Sequence, residues 1–136
     1  MVTVTPTNLQ KIEFDITTAE GPGRVTIVSG ALPVSWGASS SSTNSEGQSV
    51  SVSALVDPTL TPGQFRKATA IAALGAISGS ISAVPSGREC YIDNVEASLD
   101  DESGRIEIRV DGRIAVSNGG MVVQGLTFQV TTLAKL

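Results

Sequence analysis

Apolar and polar residues alternate with a period of two along most of this chain, the pattern of strands that bury one face. Lys11 to Thr17 puts Ile12, Phe14 and Ile16 on one side and Glu13 and Asp15 on the other, which predicts a half-buried strand. Gly21-Pro22-Gly23 reads as a turn. Arg24 to Ser29, with Val25 and Ile27 on one face, predicts a second strand paired with the first. Ala31 to Gly37 is extended but broken by Pro33. Ser49 to Val56 resumes the alternation with Val50, Val52, Ala54 and Val56 inward and stops at Asp57-Pro58.

The segment from Thr61 to Ala83 carries two competing signals. Thr61-Pro-Gly-Gln64 has the form of a helix N-cap with a capping-box glutamine, and Ala-rich sequence follows, so a helix over 62–77 is one option. Against it, Gly75 and Gly79 interrupt the pattern, and Thr69, Ile71, Ala73, Ile77 and Ile81 share strand parity. The reading taken is a long strand with a glycine bend or bulge.

Ala83 to Ser117 is the stretch around which the chain is organised, read as three strands separated by compact turns. Pro85-Ser-Gly87 turns the chain into Glu89 to Leu99, where Val95, Ala97 and Leu99 share one parity and Cys90 and Ile92 the other. A β-bulge at Asp93-Asn94 reconciles the two halves. Asp100 to Gly104 is an acidic turn. Arg105 to Ser117 reads as a hairpin with a three-residue loop, Val110-Asp111-Gly112, in which a left-handed Gly112 pairs Ile108 with Ile114 and Ile106 with Val116. Asn118-Gly-Gly120 is a further turn, and Met121 to Thr132 closes the fold with Leu126, Phe128 and Val130 inward. The sum is about eight antiparallel strands in an all-β sandwich or jelly roll, forming a single domain over 1–136.

Two segments stand outside that pattern. Residues 1–8 form an extended arm in which Val2 and Val4 alternate with threonines before Pro6. Residues 37–48 are small and polar apart from Glu46, which predicts a mobile Ser-rich loop.

Composition narrows the chemistry. The chain has no histidine, so the usual base of Ser-His-Asp and Cys-His nucleophilic catalysis is missing. Cys90 is the single cysteine, which excludes an internal disulfide and reads as a small buried hydrophobe. The net charge of −4 argues against a general attraction to nucleic acid or anionic membrane. No basic stretch followed by an apolar run opens the chain, so it is expected to be made in the cytoplasm. Asp93, Glu96, Asp100, Asp101 and Glu102 could supply oxygen ligands to Ca²⁺ or a glycosidase carboxylate pair, but their spacing fits no loop motif, and a solvated turn is the plainer reading. Arg105, Arg109 and Arg113, interleaved with Glu107, read as a salt-bridged outer face. Trp36 covers one end of the core or meets a subunit; stacking on a sugar is the alternative.

Ala31-Leu-Pro-Val-Ser-Trp-Gly resembles the PLPVSG-type segments of tailed-bacteriophage virion proteins, and Gln64-Phe-Arg-Lys-Ala is similar to short strand starts in the same proteins. Val84-Pro-Ser-Gly-Arg with the alternating strand, acidic turn and Arg105 to Val110 that follow resembles the VPAGK hairpin units of phage jelly-roll modules. The resemblance covers about half the chain and implies a small virion component working as a homo-oligomer, a trimer being favoured. The expected function is non-enzymatic: a capsid decoration (cement) protein bound to the major capsid protein, with no cofactor, metal, nucleic acid or membrane. Val2, Val4, Leu9 and Trp36 are the expected contact residues. A carbohydrate-binding module, or a tail or fibre adhesion domain, is the alternative.

Overall fold

A computed structural model describes residues 1–41, 46–81 and 87–136. Its described residues form eleven strands and no helix: β1 (Val2–Thr3), β2 (Thr7–Thr18), β3 (Gly21–Leu32), β4 (Trp36–Ser40), β5 (Glu46–Val56), β6 (Phe65–Leu74), β7 (Ile77–Ile81), β8 (Gly87–Leu99), β9 (Ile106–Ser117), β10 (Gly119–Val123) and β11 (Leu126–Lys135). They pair as β1-β5-β9-β8, β2-β3-β11-β6 and β4-β10-β7. The two four-stranded sheets contribute their inner faces to one shared core, an arrangement consistent with a β-sandwich.

The centre of the first sheet corrects the hairpin expected at 105–117. β9 is one continuous strand, paired along its length with β5 and β8. Ile106, Ile108, Val110, Ile114 and Val116 have the same parity and are all fully buried. A turn at Asp111-Gly112 would break this row. Gly112 is extended and serves close approach instead: a Cβ there would lie 2.5 Å from the Tyr91 carbonyl oxygen and 3.4 Å from the Trp36 ring. The organising stretch thus supplies two strands, β8 and β9, and its expected Pro85-Ser-Gly87 turn falls largely outside the described residues. The bulge at Asp93-Asn94 is present, since Ile92 pairs with Gly112 and Asn94 with Asp111. It brings Cys90 and Ile92 onto the core side together with Val95, Ala97 and Leu99.

β6 and β7 resolve the strand-or-helix question in favour of strand. The capping box does form, with the Thr61 N–H donating to the Gln64 side-chain oxygen at 2.9 Å, but only a single turn follows before β6 begins. The expected glycine bend falls at Gly75. There the Gly75 N–H donates to the Gly125 carbonyl at 2.7 Å, and the Gln124 N–H donates to the Ala76 carbonyl at 2.7 Å. β11 breaks from β10 at the same level, and β3 breaks from β4 at 33–35. Three neighbouring strands therefore bend together, and β3-β11-β6 continues as β4-β10-β7. A side chain at Gly75 would meet the Gly125 oxygen at 2.8 Å, so the fold line needs glycine.

Three smaller expectations shift. The first turn falls on Ala19–Glu20, two residues before Gly21-Pro22-Gly23, because the Thr18 hydroxyl donates to the Gly21 carbonyl at 2.7 Å and accepts the Glu20 N–H at 3.2 Å. The Ser-rich segment is partly strand: β4 runs through Ser40 and β5 starts at Glu46, while 42–45 lie outside the described residues. The arm is docked on its own chain as β1, with Val2 and Thr3 parallel to Val52 and Ser53.

Candidate interaction surface

Facing residues in a ladder share a side of the sheet, so register shows which residues of β2-β3-β11-β6 look outward. Val28, Val130 and Ala70 lie in one row on the core side. The core side of β6 is built from Ala68, Ala70, Ala72 and Leu74. The alternate parity puts Ile12 beside Ile27 and Thr131, and Phe14 beside Val25 and Leu133, on the outer side. Ile12 is 62% exposed, Phe14 46% and Ile71, on the same side of β6, 67%.

The strand signal at 11–17 was thus correct in period and reversed in direction. β2 is an edge strand packed chiefly on β3, and its polar side rather than its apolar side follows the core face of its neighbour. Lys11, Glu13 and Asp15 there meet charges from other elements. The Arg24 Nε donates to Asp15 at 2.8 Å, and Lys11 and Arg105 lie 3.6 and 3.7 Å from the two Asp57 oxygens. With its polar side engaged, β2 has only the outer side left for Ile12 and Phe14.

The outer face of β1-β5-β9-β8 has the opposite character. Arg109 pairs with Asp111 at 3.2 Å and Arg113 with Asp93 at 3.0 Å, and the Arg113 guanidinium lies 5.5 Å from the centre of the Tyr91 ring. The hydrogen bond from the Ser51 hydroxyl, reinforced by Arg109, holds the Asp111 carboxyl below its ordinary range.

The residues singled out from the sequence are dispersed. Val2 is exposed at the β1 edge, 63% open. Val4 is half-buried against the core, with its N–H donating to the Ser53 carbonyl at 2.9 Å. Leu9 is 52% exposed and lies over Gly30, beside the inner rather than the outer face. Trp36 is buried, 7% exposed, against Gly112. The structure does not bring these four together. Ile12, Phe14 and Ile71 were not singled out as contacts, although all three were placed on strand faces; what the sequence lacked was the side on which the second sheet sits.

The carboxylates do not converge either. Asp93 is engaged by Arg113, Glu96 accepts a hydrogen bond from Asn94, and Asp100 accepts the Ser103 hydroxyl and N–H, which hold its carboxyl below the usual range. Among the described residues, no three carboxylate or thiol groups are placed to share a metal ion. Cys90 is half-buried, and desolvation pushes its thiol up, away from the reactive thiolate. No protein-family model, curated protein or solved structure matches this chain.

Proposed function

We propose that the chain is a non-enzymatic structural protein whose working surface is the outer face of β2-β3-β11-β6, docked against a subunit of a larger assembly. The observation that carries this reading is the exposure of Ile12, Phe14 and Ile71 on the outer side of one sheet. Ile12 and Phe14 adjoin Ile27, Val25 and Leu133 in register, while Ile71 stands on the far edge across Gln129 and Ser29, and large apolar residues left open on one face mark a contact surface. The resemblance in the virion-type segments makes the assembly a phage head, the partner the major capsid protein and the role that of a decoration protein. The jelly-roll assignment belongs to the same proposal.

Decoration suits such a face because many identical weak contacts on a lattice add through avidity. The test is to mix the purified chain with expanded heads built from the major capsid protein of the genome that encodes it. Saturable co-sedimentation and a raised head melting temperature are expected; no association overturns the capsid assignment. The carbohydrate alternative loses its anchor, because the buried Trp36 ring offers no open face to a sugar.

A further inference from the structure

At one end of the sandwich, where the Ala19–Glu20 turn, the loop 57–64, the turn 100–105 and the C-terminus meet, charge is separated into two patches. The first is a cavity of about 400 Å³ with Pro22 and Leu133 among its lining, where the three cations Arg66, Lys67 and Lys135 outnumber the one carboxylate, Glu20. Arg66 lies 3.5 Å from Glu20, but no described carboxylate pairs with Lys67 or Lys135. The second patch is the turn after β8. Asp101 and Glu102 are exposed there and equally unpaired, whereas Asp100 is engaged by Ser103.

That turn is firmly held. The Gly104 N–H donates to the Asp100 carbonyl at 2.8 Å, the Leu60 N–H donates to the Gly104 carbonyl at 2.7 Å, and Gly104 has φ +72°. The two patches also belong to one continuous surface, because the loop from Leu60 to Gln64 links them and the Lys135 N–H donates to the Gln64 carbonyl at 2.8 Å.

We propose that this end is a contact between two copies of the chain, with Asp101 and Glu102 of each entering the cavity of the other beside Lys67 and Lys135. A surface that carries both a patch and its complement is self-complementary about a two-fold axis, so every contact is made twice. The acidic turn beside the cavity repels a polyanion, which favours a second copy over nucleic acid. The pairing is two-fold, in place of the trimer implied by the resemblance, and its cavity borders the apolar sheet face at Leu133 without including Ile12, Phe14 or Ile71. Exposed ion pairs are individually weak and screened by salt, so the association is salt-sensitive.

Sedimentation equilibrium of the full chain tests it. Two charge-reversed double variants, K67E/K135E and D101K/E102K, are each expected to weaken self-association at low salt by about tenfold or more, equivalent to about 1.4 kcal/mol. An equimolar mixture of the two restores wild-type affinity, because each reversed cavity then meets a reversed turn. The variant I12D/I71D leaves the cavity lining intact and keeps this association, which separates it from docking through Ile12 and Ile71. A wild-type chain that is monomeric at low salt, a reversed variant that associates like the wild type, or a mixture that fails to recover overturns the proposal.

Discussion

The two four-stranded sheets turn opposite kinds of surface to the solvent. Outside β1-β5-β9-β8, the charges of Arg109 and Arg113 are matched by Asp111 and Asp93, and the large apolar residues of β9 are all inside. Outside β2-β3-β11-β6, Ile12, Phe14 and Ile71 are bare, while alanines fill much of the inner side of β6. The first sheet follows the usual rule of an antiparallel sheet with one wet face. The second departs from it, and the departure marks the face on which the proposed docking rests.

Substitutions of isoleucine on the two sheets break or sharpen this contrast most strongly. Ile108→Ala empties a fully buried site in β9 and is expected to cost about 2–5 kcal/mol in urea unfolding. Ile71→Ala on the outer face of β6 is expected to change the stability of the free chain by no more than about 0.5 kcal/mol. Comparable losses at the two positions would erase the distinction between the faces.

Gly112→Val comes next. The added side chain meets the fixed Tyr91 carbonyl and the Trp36 ring, and overpacking of this kind costs about 1–3 kcal/mol. Wild-type stability at this position would return the Asp-Gly pair to an open turn.

The outer charges of the first sheet give smaller effects. The folded-state pKa of Asp111 is depressed, so its contribution is fully present above the unfolded value near 3.9 and is lost as pH falls through the lower folded value. Stability should therefore drop below about pH 4, and Asp111→Asn should flatten that drop in acid titrations followed by tryptophan fluorescence. Arg113→Ala should be the mildest change, a small lowering of the melting temperature that shrinks further at high salt. A large loss there would mean that the charged face is also a docking surface.

Strand periods, the Gly75 bend and the Asp93 bulge were legible in the sequence because each is a local matter of parity and backbone freedom. The continuity of β9 was legible too, since Ile106 through Val116 never change parity, but Asp111-Gly112 is such a strong turn signal that it hid the row. Which face of β2 meets the core was not legible. Ile12 and Phe14 oppose Glu13 and Asp15 equally well in a strand facing either way, and the outcome depends on partners far along the chain, Asp57 and Arg24 among them. The same limit applies to Trp36, whose burial depends on Gly112, 76 positions later by subtraction of the two residue numbers.

Phe14 and Tyr91 allow the central claim to be tested directly. They sit on the two opposite outer faces and are almost equally open in the free chain, at 46% and 48%. Hydroxyl-radical footprinting of the chain, free and bound to expanded heads, reads both aromatic rings at once. Docking through β2-β3-β11-β6 predicts that Phe14 becomes protected while labelling of Tyr91 is unchanged. Protection of Tyr91 with Phe14 still labelled would contradict the account.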